Sequence, residues 1–260
     1  MAGVLRWYLD SGVDETISDV PQNRFIETNP KEITVPQKSS ANNTPNIISQ
    51  GPKLAESLLL EACKIAAAAS SIKELNNVLL NYAGCSLKKT ATNLVFGDGN
   101  PKAKIVLIGE GPGAEEDRRG LPFVGPGGQL LDKMLASIGL DRNKVFLSNT
   151  VFWRPPGNRT PTVQESGLCI PFVERLVELI DPEILIVLGG PAAKLLLAET
   201  AAVSRLRGKW YAYSTPRLSR PVKTTVMYHP NYLLSSPVHK REAWQDLLMI
   251  SDKLKNISLN

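Results

Sequence analysis

Four short runs, at 104–108, 145–147, 184–188 and 224–227, are nearly continuous in aliphatic or β-branched residues instead of alternating with polar ones. A strand covered on both faces has this pattern, whereas a strand with one wet face alternates. Around these runs, apolar positions recur at helical spacing, at about 54–69, 72–81, 128–138, 163–180, 191–198 and 240–255. Strand and helix in alternation predict an α/β fold with a parallel sheet covered on both faces. Ahead of this body, 5–12 reads as a short amphipathic helix, and 27–53 turns to Pro, Asn, Ser, Thr and Gln. Such a stretch buries too little apolar surface to offset its ordering entropy and reads as a linker. The chain therefore divides into a helical extension (1–26), a polar linker (27–53) and one domain (54–260).

The residues just after each run carry the chemistry. The first run leads into Gly109-Glu110-Gly111-Pro112-Gly113 and the second into Ser148-Asn149-Thr150. The third leads into Gly189-Gly190-Pro191 and the fourth into Tyr228-His229-Pro230. Ligands of open α/β sheets bind beyond the carboxyl ends of the strands, so a carboxylate, an amide and an imidazole meet on one rim. The glycines at 109, 111 and 113 miss the spacing of a dinucleotide fingerprint, and no Gly-Lys-Ser/Thr follows to make a phosphate loop. Phe123, between glycine and proline turns, is poorly placed to be core alone and offers a face for stacking. The stretch Arg154-Pro155-Pro156-Gly157-Asn158-Arg159-Thr160-Pro161 is a rigid basic loop, either a solvated turn or a phosphate contact. Asn149 alone is as readily a strand cap, and His229 alone a structural histidine. His239 reads as surface.

Bulk properties narrow the class without choosing it. The 43% hydrophobic content is that of a globular core, and the net charge of +5 is compatible with a nucleic-acid partner without requiring one. No stretch has the roughly 18 apolar residues of a membrane span, and the N-terminal residues lack the apolar run of a secretory signal. Three widely spaced cysteines do not form a disulfide framework. A soluble, cytoplasmic protein is expected, with no membrane partner.

Together these strings resemble the type-4 uracil-DNA glycosylases. The resemblance rests on Gly109 to Gly113 through Asp117, on Pro122-Phe123-Val124-Gly125 with Gly128-Gln129-Leu130-Leu131, on Asn149, on Arg154 to Arg159, and on His229-Pro230-Asn231-Tyr232-Leu233-Leu234. It runs in order over about 79–254, and Leu5-Arg6-Trp7-Tyr8 is similar to a tail of some bacterial members. The resemblance implies a three-layer α/β/α domain on a four-stranded parallel sheet. It also implies hydrolysis of the uracil N-glycosidic bond of a base flipped out of single- or double-stranded DNA, by a protein acting as a monomer. It assigns Glu110 to positioning the attacking water, His229 to hydrogen bonding uracil O2, and Glu116 to the wall that excludes thymine's methyl. Phe123 would stack on the ring, Asn149 would read O4 and N3, and amides around Gly111 would assist at O2. Arg154, Asn158 and Arg159, the amides of Gly127 and Gly128, and the wedge leucines Leu233 and Leu234 would meet DNA; one of the two leucines is expected in the core.

The chain departs from the family at its iron–sulfur ligands. The four cysteine positions of the family's [4Fe–4S] cluster fall here on Tyr82, Cys85, Trp153 and Cys169. Clusters of this kind are normally held by four thiolates, so Cys85 and Cys169 are metal ligands only if a cluster is present at all. The glycosidic chemistry itself requires no cofactor. Two other readings share parts of the pattern: a protein of the same fold that binds uracil or abasic DNA without turnover, and an unrelated nucleotide-binding α/β protein.

Overall fold

A computed structural model of the chain describes residues 51–258. The expected helical extension and all but the end of the expected linker lie outside the described residues. The described helices and strands follow in order as α1 (Gly51–Ala68), α2 (Ile72–Asn81), β1 (Asp98–Gly99), β2 (Ile105–Gly109), α3 (Ala114–Arg119), α4 (Pro126–Ala136) and β3 (Phe146–Asn149). They continue with α5 (Val163–Ile180), β4 (Ile184–Leu188), α6 (Gly190–Leu197), α7 (Val203–Leu206), β5 (Tyr211–Tyr213), β6 (Val222–Met227), α8 (Pro230–Ser235) and α9 (Lys240–Ser258). The strands form one sheet in the order β1-β3-β2-β4-β6-β5. The inner four, β3, β2, β4 and β6, are parallel throughout, as the four aliphatic runs predict.

The sheet has two further strands, β1 and β5, each antiparallel to its neighbour at an edge. With two and three residues they are too short to carry a period, and pairing with the completed edge is what makes them strands.

Alternation along the strands divides the core between the two faces. Val106, Ile108, Leu185 and Val187 point into a cluster with α2 and α5 residues such as Leu75, Leu79, Phe172 and Leu176. Ile105, Leu107, Ile184 and Ile186 point the other way, against Leu131 and Leu135 of α4 and Leu247 and Ile250 of α9. Every residue of β2 and β4 is buried, so both faces are covered and the fold is a three-layer α/β/α sandwich.

Local signals set where the long helices begin. Thr162 and Glu165 make a reciprocal capping box at the start of α5, Ser71 caps α2 by accepting from the Glu74 amide at 3.2 Å, and Pro126 opens α4. The chain leaves β2 toward β3 on one side and then returns across to β4 on the other, which makes the β2/β4 boundary a topological switch point. The rim above it is where a ligand crevice forms.

Candidate active site

Three strand ends deliver the central groups. Glu110 follows β2, Asn149 ends β3, and His229 follows β6 as the cap of α8. Hydrogen bonding between β2 and β3 continues past the strands: Thr150 donates its amide to the Gly109 carbonyl at 2.9 Å, and its hydroxyl to the Glu110 carbonyl at 2.6 Å. The Glu110 backbone is thereby fixed, and its half-buried side chain lines the open cleft of about 370 Å³ that also holds His229, Asn158 and Arg159. Burial pushes the Glu110 carboxyl above the ordinary carboxylate range.

Behind this cleft is a smaller recess lined by Gly111, Glu116, Phe123, Asn149, His229 and Asn231. Asn149 is 2% exposed, and its side-chain amide makes no hydrogen bond to another described residue. A buried amide left open in this way is poised for a ligand that offers both a donor and an acceptor. Gly109 makes room for it: a Cβ there would lie 2.7 Å from both Asn149 Oδ1 and the tip of the Phe123 ring.

Phe123 is held in the left-handed region, at φ 54°. Such a conformation costs a non-glycine residue on the order of 1–3 kcal/mol and needs outside support. Arg142 gives that support from one side. It donates to the Phe123 carbonyl and to the Pro122 carbonyl at 3.2 Å, while pairing with Asp98 at 2.7 Å and Asp132 at 2.9 Å. Gly128 gives it from the other, since a Cβ there would stand 1.7 Å from the Phe123 oxygen. The ring itself lies 6.0 Å from the His229 ring, stacked with an angle of 29°.

His229 is prepared as a donor. The Asn231 amide donates to its Nδ1 at 3.2 Å, so the ring proton of the neutral form sits on Nε2. Burial lowers its pKa to about 4, against a smaller opposing effect of Glu116. At neutral pH the group is an uncharged imidazole offering one N–H.

Glu116 ties the two loops together. Its carboxylate accepts from the Gly113 amide at 3.1 Å, from Val124 at 3.0 Å and from Gly125 at 2.8 Å. With both oxygens engaged it acts as a positioning residue, though it stands in the wall of the recess where the sequence puts it. The same contacts reach the start of α4. Glu116 takes the Val124 and Gly125 amides just ahead of the helix, and Gly127 and Gly128 in its first turn are buried. Their value is close approach: a Cβ on Gly127 would fall 1.9 Å from Asn231 Oδ1.

Two features at the DNA side bear on the expected contacts. Arg159 meets Glu165 through two hydrogen bonds of 2.8 and 2.7 Å and holds that carboxyl down to about 2, so its guanidinium anchors the basic loop to α5. Leu233 is fully buried, whereas Leu234 is 41% exposed; of the pair, Leu234 is the free one. Arg154 forms no ion pair among the described residues and braces the loop through Asn158 at 2.7 Å. Arg142, Asn231 and Tyr232 are site residues that the sequence reading did not single out. Asn231 and Tyr232 stood inside a quoted motif; Arg142 had no local signal, since its partners are 10 to 44 residues away.

The iron–sulfur positions converge in one core. Tyr82, Cys85, Trp153 and Cys169 are all buried in the cluster beneath the sheet. The neighbouring Cys85 sulfur, together with burial, pushes the Cys169 thiol up. Tyr82 packs on Phe172 at 5.0 Å and Trp153 edge-on to Phe152 at 6.3 Å. Two thiols with one phenol and one indole are not the donor set of a four-thiolate cluster, and no group of three or more metal-ligating side chains occurs among the described residues. The residues do not fit the group.

A strand-end rim with a stacking ring, an unpartnered amide, a neutral imidazole donor and a desolvated carboxylate defines an α/β site for a small planar heterocycle. Residues 96–248 match the model of the Uracil DNA glycosylase superfamily. The chain is 39% identical to the type-4 uracil-DNA glycosylase of Archaeoglobus fulgidus over 186 residues, 70% of this chain and 92% of that protein. It is 34% identical to that of Sulfurisphaera tokodaii over 70% of this chain and 84% of that protein. For Thermotoga maritima the figures are 38%, 58% and 76%. The chain belongs to the uracil-DNA glycosylase superfamily, in its type-4 branch.

Proposed function

We propose that this chain hydrolyses the N-glycosidic bond of uracil in single- or double-stranded DNA, leaving an abasic site for base excision repair. The observation that carries the reading is the convergence of Phe123, Asn149 and His229 on one recess with Glu110 at its mouth. Flipped uracil stacks on Phe123, and the Asn149 amide pairs with O4 and N3–H; cytosine presents the opposite polarity there and is refused. As the C1′–N1 bond breaks, its electron pair passes to the base and the sugar becomes oxocarbenium-like. The Nε2–H of His229 donates to O2 where the negative charge develops, with backbone amides near Gly111 beside it. Glu110 orients a water on C1′ and takes its proton as the new C–O bond forms.

Arg154, Asn158 and Leu234 are proposed to meet the DNA backbone and the opened base step. No cofactor enters this chemistry, and Tyr82 and Trp153 are proposed to replace the family's iron–sulfur cluster as packing. Among the described residues no helix is long and apolar enough to cross a membrane. A cytoplasmic setting is proposed because three widely spaced cysteines build no disulfide framework, and the chain is proposed to act as a monomer.

The test is release of uracil from a uracil-containing oligonucleotide, read by alkaline cleavage. Release that collapses in His229→Ala and Asn149→Ala supports the reading. Tight binding with no release by the unaltered protein overturns it in favour of a non-catalytic DNA binder.

A further inference from the structure

A second cavity, of about 450 Å³, adjoins the open cleft at the mouth of the proposed uracil recess, and cavity and cleft share Glu110, His229 and Tyr232 in their walls. Its volume is within the roughly 300–1,000 Å³ typical of small-ligand sites. Its far wall comes from the start of α6 and from α7, with Pro191 and Val203 supplying apolar surface. The near wall is aromatic. Tyr228, Tyr232 and His239 form a mutual cluster, with Tyr232 stacked on Tyr228 at 5.2 Å and on His239 at 5.4 Å.

This platform is braced from beneath. Arg207 ties α9 to α7 through Asp246 at 2.9 Å, and the Glu242 carboxylate lies 3.4 Å from His239 Nδ1. Tyr232 stays 42% exposed at the boundary between the two cavities. None of these groups has a part in the glycosidic chemistry.

We infer that this second cavity receives the base next to the flipped uridine on the same strand, unstacked from its neighbours and laid against Tyr232. The inference rests on the glycosylase reading. Continuity selects the occupant: with uracil in its recess, the adjoining nucleotide is one backbone link away, and the cavity meets that recess at His229 and shares Glu110, His229 and Tyr232 with the open cleft in front of it. The lining offers rings and aliphatic surface in place of a fixed donor–acceptor pattern, so it takes any base by stacking. The opposite strand has no role in filling it, and the cavity therefore serves single-stranded substrate as well as duplex.

The experiment measures single-turnover uracil release from a single-stranded oligonucleotide with one uridine, with the base on either side replaced by an abasic tetrahydrofuran. Loss of the base on one side is expected to raise the half-saturating enzyme concentration about tenfold, whichever base was removed. Ser204→Trp, at an exposed position on the cavity rim, fills the space and is expected to shrink this penalty below about twofold with an unchanged melting temperature; Tyr232→Ala does the same by removing the platform. Release indifferent to both flanks, or an undiminished penalty in both variants, overturns the inference and leaves the glycosylase reading intact. No release from the complete oligonucleotide overturns that reading and this inference with it.

Discussion

His229 and Glu110 sit within one cleft, yet burial moves them in opposite functional directions. Burial keeps the imidazole neutral down to about pH 4 and keeps the Glu110 carboxyl protonated at pH values where an ordinary carboxylate is already ionised. As pH falls, Glu110 is therefore the first of the two to take a proton, above the usual 4.5. Loss of the water-orienting carboxylate sets the acid limb of the rate. A pH profile of uracil release should show that limb, and Glu110→Gln should lower the plateau and flatten the limb. A limb that persists in Glu110→Gln and moves in a His229 variant would reverse the assignment. Removing the donor in His229→Ala is expected to cost about 10²–10³ in single-turnover rate, the usual worth of one preorganised hydrogen bond to developing charge. The stability effect of His229 has its own sign. Its folded pKa lies below the ordinary 6.5, so the unfolded chain binds more protons between about pH 4 and 6.5, and the protein loses stability as pH falls through that window.

Among the elements, α4 decides the shape of the site. Gly128 lies against the Phe123 carbonyl, and the Glu116 carboxylate closes the start of the helix. Gly128→Ala must push Phe123 out of its strained position. About a hundredfold loss of release is expected for a ring displaced by an ångström or so, with about 1–3 kcal/mol of destabilisation seen by thermal melting. These contacts also mark the limit of sequence reading. The four buried strands and the long helices were legible because continuous apolar runs and 3.6-residue periods carry across whole elements. The strand-end polar groups were legible because they follow the runs directly. The two edge strands and the short helices α3, α7 and α8 carry no period. The pairing of Arg159 with Glu165, the capture of the Val124 and Gly125 amides by Glu116, and the choice of Leu233 over Leu234 for the core depend on tertiary neighbours. A charged or apolar residue in a motif states what it offers, and only its surroundings state to whom.

For the molecule as a whole, the core beneath the sheet holds together without four thiolates. Tyr82 and Trp153 occupy ligand positions and pack on Phe172 and Phe152, so stability should not depend on iron. The purified protein is expected to melt at the same temperature before and after treatment with an iron chelator, and to lack a cluster's visible absorption; a chelator-induced fall in melting temperature would contradict this. The replacement is imperfect in one atom. The Tyr82 hydroxyl is buried with no hydrogen-bond partner among the described residues, and burial pushes its pKa up to about 12. Tyr82→Phe should therefore stabilise the protein by about 1 kcal/mol in denaturant titration.

The strand order β1-β3-β2-β4-β6-β5 carries one more consequence. The first three strands in the chain lie together on one side of the sheet and the last three on the other, with the change of side made through the exposed loop at 156–160. One half brings Glu110, Phe123 and Asn149, and the other brings His229. A chain severed in that loop thus yields two fragments, each with a contiguous piece of sheet and neither with a complete set of reacting groups. Mixed, they can rejoin along the β2–β4 ladder, and uracil release would become a concentration-dependent reporter of their reassembly. The fold is in this sense a heterodimer written as one polypeptide, with its chemistry on the subunit boundary.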